Sequence, residues 1–139
     1  MKGDIVLQIV FGIFLILHGL VHLLYFGQSA RFFNLTPNMV WPDGSWAFSK
    51  LLGDNRTRTL ASALCILAAV GFVSGGLGFL FSQPWWRPLV GSSAVMSAIL
   101  YILLWNGRLE HLDNQGGIGL LIDVAILVAV LGLGWPKLD

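Results

Sequence analysis

The chain has 139 residues, of which 56% are hydrophobic and only 11% are charged, and its formal net charge is +1. Soluble domains carry about twice that share of charged residues, so the composition excludes an ordinary soluble domain and indicates an integral membrane protein. The small net charge gives no reason to expect nucleic acid as a partner. The single cysteine excludes a disulfide within the chain.

The first apolar segment covers residues 5–26 and contains only three strongly polar side chains, Gln8, His18 and His22. Its length predicts a transmembrane helix. It is too long for the apolar core of a signal peptide and no small-residue cleavage site follows, so we expect it to remain in the mature protein. The four-residue spacing places both histidines on one helix face. Ionisable groups inside a membrane are costly, so this face is expected to meet a partner, a cavity or a ligand.

A long connection, residues 27–57, follows the first segment and is the only part outside the apolar segments with room for structure of its own. Ser45 is a good cap for a short helix that runs through Leu52 and ends at Gly53. The apolar side chains of this helix, Trp46 among them, predict that it lies on the membrane surface.

Three further apolar segments cover residues 58–81, 88–105 and 116–135. Each approaches the 18 to 20 residues that cross about 30 Å of hydrocarbon, and backbone groups in lipid are satisfied within a helix. The sequence therefore predicts an all-α protein with a single domain over residues 1–139. That domain is an integral membrane bundle of four transmembrane helices with a short interfacial helix in the first loop.

Four crossings place both termini on the same side of the cell membrane. The opposite side carries five basic residues, Arg31, Lys50, Arg56, Arg58 and Arg108, against three on the side of the termini, Lys2, Arg87 and Lys137. The positive-inside rule then predicts that the long loop is cytoplasmic.

A polar cluster is predicted in the half of the bundle next to the long loop. At 1.5 Å per residue, His22 lies about 6 Å, His18 about 12 Å and Asp123 about 10 Å from that end. Asp123 is the only carboxylate within the four apolar segments. Ser97, Tyr101 and Arg58 lie at similar levels on the other helices. The predicted ligand-binding or proton site consists of His18, His22, Asp123, Tyr101 and Arg58.

Several interpretations of this cluster remain open. A histidine that bonds to Asp123 can simply hold two helices in register. A metal would need His18, His22 and Asp123 as a two-histidine, one-carboxylate set. Haem fits less well, because two axial ligands approach opposite faces of the macrocycle and the two histidines share one helix face; His111 would have to fold inward. A quinone or another lipid-soluble ligand needs only an apolar cleft with one or two hydrogen-bonding groups, and imidazoles can exchange protons near neutral pH.

The motif His18-Gly-Leu-Val-His22-Leu23 near the end of a first membrane helix resembles a widespread set of small, uncharacterised four-helix membrane proteins of bacteria and archaea. Trp85-Trp86 before the third segment, Trp105-Asn-Gly-Arg-Leu109 after it and the Gly116-Gly-Ile-Gly119 start of the fourth are similar as well. More distantly, the layout resembles the DoxX-like proteins, some of which are linked to quinone-coupled redox chemistry. The resemblance implies the four-helix architecture, and it implies no catalytic residue.

The leading hypothesis is a membrane protein that binds a small lipid-soluble ligand, quinone-like, or serves a redox or proton role. One alternative is a non-catalytic accessory or structural subunit, whose partners would be further copies of this chain or a larger membrane complex. Another is an oligomeric transporter or channel protomer, since one four-helix chain is small for a pathway. The lipid bilayer is the partner that all three share.

Overall fold

The computed structural model describes residues 2–137, and every regular element among them is helical, so the predicted all-α class is confirmed. The α-helices are α1 (Lys2–Ser29), α2 (Ser49–Leu52), α3 (Asp54–Leu80), α4 (Trp86–Leu103) and α5 (Gly117–Leu127). A 3-10 helix, Leu112–Gln115, precedes α5, and a π-helical turn, Val128–Gly132, continues it.

By length and composition, three helices are long and apolar enough to cross a membrane: α1, α3 and α4. The fourth is shorter than the predicted segment 116–135. α5 has 11 residues and the π turn has 5, which together rise at most about 24 Å. The helix ends at Gly132 because Gly134 adopts a positive φ of 62° and Pro136 has no N–H to continue the ladder.

Arg87, in the first turn of α4, compensates for this early end. Its guanidinium donates to the carbonyl oxygens of Val130 at 2.7 Å and Pro136 at 2.9 Å. The last carbonyls of a helix have no partner within the helix, and a π turn displaces further ones from the regular ladder. Residues 133–136 are therefore held beside the start of α4 without being helical.

The helices pack in chain order, α1 against α3, α3 against α4, and α4 against α5. Glycines bring α3 and α4 together: a Cβ on Gly71 would lie 2.0 Å from Ser93 Oγ, and one on Gly75 would lie 2.5 Å from Val90 Cγ2. Two apolar clusters result. The cluster near the termini contains Phe11, Leu15, Phe72, Phe79, Trp86, Val90, Ala94, Ile126 and Val130. The cluster near the long loop contains Met39, Trp41, Ala61, Cys65, Leu100, Tyr101 and Leu104.

The outer surface of the helices is also apolar. Large apolar side chains point outward on α1, α3, α4 and α5. Examples are Val6 at 61% exposure, Val70 at 58%, Ile99 at 50% and Leu121 at 71%. Monomeric soluble proteins rarely expose contiguous apolar patches of more than a few hundred Å². The exterior of this bundle is thus unlike that of a soluble domain.

The long connection is folded onto the bundle. The predicted helix from Ser45 to Leu52 is only four residues long, Ser49–Leu52, and it ends at Gly53 as predicted. Ser45 caps the turn that leads into this helix, as predicted, because its Oγ accepts a hydrogen bond from Phe48 N at 3.2 Å. Residues 45 and 46 also bond to the end of α4: Ser45 Oγ donates to Leu103 O at 2.6 Å, and Trp46 Nε1 donates to Ile102 O at 2.7 Å. They provide partners for carbonyls that α4 leaves free, and this long-range docking shortens the helix.

Gln28, near the end of α1, organises the other half of this connection. Its side chain is fully buried. Its amide nitrogen donates to Met39 O at 3.0 Å and Trp41 O at 3.4 Å, and its amide oxygen accepts from Leu35 N at 2.9 Å. One buried side chain thereby satisfies three backbone groups of a loop that has no ladder of its own.

Candidate functional site

His18 on α1 and Asp123 on α5 meet in the centre of the bundle. His18 Nε2 lies 2.8 Å from Asp123 Oδ1, and the two residues are only 5% and 0% exposed. The prediction that these residues lie at one level is therefore confirmed. With the carboxylate ionised, His18 Nε2 carries the proton and donates, which orients the ring as the aspartate of a catalytic triad orients its histidine.

His22, one turn further along α1, turns to a different partner. Its Nδ1 lies 2.9 Å from the carbonyl oxygen of His18, and its Nε2 lies 2.7 Å from Ser97 Oγ on α4. A carbonyl oxygen can only accept, so Nδ1 carries a proton and donates. In neutral His22 the Nε2 is then the acceptor, and the Ser97 hydroxyl donates to it.

Ser97 is thus part of the site, although the five residues chosen from the sequence did not include it. The sequence places it at the right level, four residues before Tyr101. It is fully buried. Serines occur elsewhere in the apolar segments, and only the rotation of α4 against α1 selects this one.

Aromatic rings surround the two histidines and separate them from the outer surface. The ring of Phe72 lies 4.7 Å from that of His18 in an edge-on arrangement and 5.5 Å from that of His22. On α1 and α4, the polar groups lie between the two apolar clusters. Hydrogen bonds in such low-dielectric surroundings are stronger than in water, and an unpaired polar atom there is more costly.

One such atom is present. Asp123 Oδ2 is buried and has no hydrogen-bond partner among the residues that the structure describes. Buried polar atoms are nearly always paired, and an exception needs an explanation. This oxygen can hold a proton, or it can accept a hydrogen bond from a molecule that is not part of the chain.

Tyr101 lies beside the polar layer that His18, His22, Ser97 and Asp123 form. Its ring centroid is 5.8 Å from that of His22, and the residue is 3% exposed. The ring lies against the backbone of the fourth segment: a Cβ on Gly116 would come within 2.1 Å of it, and one on Gly119 within 3.1 Å. The glycines of the Gly116-Gly-Ile-Gly119 motif therefore make room for the tyrosine ring.

The other side of Tyr101 borders a pocket of about 270 Å³. The pocket lies under the α4–α5 loop, and its walls are mainly apolar, with Trp105, Leu109, Leu112 and Leu120 among them. Gln115 also lines it, with its amide engaged by Asn106 N at 3.0 Å and Glu110 O at 3.2 Å. Tyr101 is the residue that this pocket shares with the surroundings of His22.

Arg58 does not join this cluster. Its guanidinium donates to both carboxylate oxygens of Asp43 at 3.0 Å and to the Asn55 side chain. Arg31 lies 2.8 Å from the same carboxylate. Because α3 begins at Asp54, four residues before the predicted start, Arg58 lies in a turn of the helix that faces the folded loop.

No protein-family model, curated protein or solved structure matches this chain. The resemblance to the small four-helix membrane proteins therefore stays a prediction from the sequence motifs, and the resemblance to DoxX-like proteins stays a prediction from the layout.

The arrangement does not suit the three-ligand metal set of His18, His22 and Asp123, because both ring nitrogens of His22 are already engaged. Within residues 2–137, no group of three or more His, Cys, Asp or Glu side chains is placed to hold a metal ion. His111, the second haem ligand that the sequence would require, is exposed in the α4–α5 loop. What the cluster offers chemically is a buried carboxyl–imidazole pair able to hold or pass a proton.

Proposed function

We propose that the chain is a multi-pass protein of the cell membrane, with both termini on one side and the long loop in the cytoplasm. The three long apolar helices and the apolar exterior support this proposal. The short α5 is no obstacle, since Arg87 ties Pro136 to the beginning of α4, so the chain after the helix still reaches that end of the bundle.

Within this bundle, the proposed function is to bind a small lipid-soluble ligand that exchanges protons, of which a quinone is the type. The observation that carries the proposal is the buried Asp123 Oδ2, which has no partner in the described chain, beside an Asp–His pair. Intramembrane ionisable residues usually mark a ligand or proton site. The more distant resemblance in layout to DoxX-like proteins, some of which are linked to quinone-coupled redox chemistry, supports the same ligand class.

The pocket beside Tyr101 is where we place the ligand ring. Apolar walls with a few polar groups are typical of small-molecule sites, and here Tyr101 is the residue that provides a hydroxyl. Tyr101 would bind the ligand directly. His22, His18 and Asp123 would act behind it, as a store of exchangeable protons in a site from which water is excluded.

Binding of a short-chain quinone to the full-length protein in detergent tests this proposal. Loss of the hydroxyl in Tyr101→Phe is expected to weaken binding about three- to tenfold, the size of one hydrogen bond. Asp123→Asn is expected to weaken binding as well, because the amide cannot exchange a proton with the ligand. Val124→Ala, next to Asp123 but 48% exposed on the outer face, is the matched control and should leave binding unchanged.

The same variants test the second candidate, a non-catalytic subunit in which the polar layer only locks helix register. The engagement of both His22 nitrogens by protein atoms favours it. Under this alternative, Asp123→Asn lowers stability, while quinone binding is absent or is the same in Tyr101→Phe and Asp123→Asn as in the wild type. That result would exclude the ligand-binding function.

A further inference from the structure

A second pocket, of about 460 Å³, lies outside the apolar segments between residues 37–43 and the α4–α5 loop. Its size is in the range of about 300–1,000 Å³ that is typical of small-molecule sites. In contrast to the pocket beside Tyr101, its walls combine apolar side chains with polar and charged ones, and the latter include Arg108, Glu110 and His111. The buried polar layer and its proposed ligand do not account for this pocket.

The α4–α5 loop separates the two pockets. Arg108, Glu110 and His111 line the polar pocket, while Leu109 and Leu112 line the apolar one. Leu109 is 77% exposed and Leu112 is 40% exposed, so both are placed to contact lipid at the end of the bundle. Gln115 lines both pockets. A polar cavity and an apolar cavity thus lie next to each other at the expected level of the membrane interface.

The charges on the polar pocket are of both signs. Asp43 is already compensated by Arg31 at 2.8 Å and Arg58 at 3.0 Å. The side chains of Arg108 and Glu110, by contrast, are exposed, and they form no ion pair with another residue of the described chain. The Arg108 guanidinium and the Glu110 carboxylate therefore remain to bind a ligand. A ligand that complements both carries one negative and one positive charge, so it is a zwitterion.

Trp41 also lines this pocket, but it is only 3% exposed and its indole Nε1 is buried, so its ring forms part of the wall. The Arg108 guanidinium is the group that would bind a phosphate. The Glu110 carboxylate accepts hydrogen bonds from a primary ammonium group but not from a quaternary one.

From these observations we infer that the polar pocket binds the phosphate–ammonium headgroup of a membrane phospholipid of the phosphatidylethanolamine type, whose acyl chains lie toward Leu109 and Leu112. The inference rests on the membrane location proposed above. It does not depend on the His18–Asp123 pair, so a failure of quinone binding leaves it intact.

Native mass spectrometry of the full-length protein mixed with equal amounts of phosphatidylethanolamine, phosphatidylcholine and phosphatidylglycerol tests the inference. The wild type is expected to retain the ethanolamine lipid about tenfold better than the choline lipid, the size of one hydrogen bond to a charged group. Glu110→Gln should remove that preference, and Arg108→Gln should reduce retention of all three phosphate lipids. Asp113→Asn is the matched control, because Asp113 is exposed in the same loop but does not line the pocket.

Three results would overturn the inference. The first is equal retention of the three lipids by the wild type. The second is an unchanged preference in a Glu110→Gln variant that keeps the helical circular dichroism of the wild type. The third is binding of soluble phosphoethanolamine as tightly as the lipid, which would make this a site for a free zwitterion.

Discussion

The contact between His18 and Asp123 makes a quantitative prediction about stability. Asp123→Leu alone leaves the His18 N–H without an acceptor in apolar surroundings, which costs about 1–3 kcal/mol. His18→Leu alone leaves the buried carboxyl without a partner, and breaking a buried pair in this way costs about 3–5 kcal/mol. Both residues are almost fully buried, so solvent does not screen either penalty.

The double variant removes both polar groups at once and should therefore be less destabilised than the sum of the two single variants. We expect a coupling energy of about 1–3 kcal/mol, as for residues in direct contact. The ring contact between His18 and Phe72 is lost both in the single variant and in the double variant that lack the histidine, so its contribution largely cancels from the coupling energy. The measurement is reversible unfolding in mixed micelles, followed by the fluorescence of the six tryptophans.

A second cycle combines His18→Leu with Val124→Ala as its control. Val124 follows Asp123 on the same helix but is 48% exposed, so the two changes should add within about 0.3–0.5 kcal/mol. If the His18–Asp123 coupling is no larger than this control value, the 2.8 Å contact does not join α1 to α5, and our account of the polar layer is wrong.

Two further predictions concern backbone positions. Gly116→Ala should destabilise the protein by more than about 2 kcal/mol in the same unfolding assay, because its Cβ would lie 2.1 Å from the Tyr101 ring and the residue has a φ of +83°. The control is Gly132→Ala, whose Cβ would meet nothing within 4 Å, so its free energy of unfolding should be near that of the wild type. Arg87→Gln should release the carbonyl of Val130; hydrogen exchange should then accelerate over residues 128–136 but not in α1, and uniform acceleration would contradict the role given to the guanidinium.

Helix geometry alone was enough to predict the core of the site. The rise per residue and the i, i+4 spacing are properties of any α-helix, so the level of Asp123 and the shared face of His18 and His22 follow from the positions of the apolar segments. The aspartate and His18 lie at one level as predicted, where the structure brings them into contact. The all-α class followed in the same way, from the length of the apolar segments.

The ends of the elements could not be predicted as well, because they depend on which groups satisfy the last carbonyls. Ser45 and Trp46 bond to α4 across more than fifty residues of sequence, which left only Ser49–Leu52 as the short helix. Gly134 likewise shortened the fourth apolar helix relative to residues 116–135, and Arg87 provides a partner for one of its last carbonyls. No local pattern records these partners.

The sequence by itself therefore determined that two histidines and one carboxylate share a level in an apolar bundle, because helical rise and hydropathy are local properties. Only the tertiary structure decided their partners. It directed His22 to Ser97 and Arg58 to Asp43, and it left Asp123 Oδ2 without a partner within residues 2–137. These outcomes depend on how each helix is rotated against its neighbours and on where the connection between α1 and α3 docks, and both are set by packing between residues that are far apart in the chain.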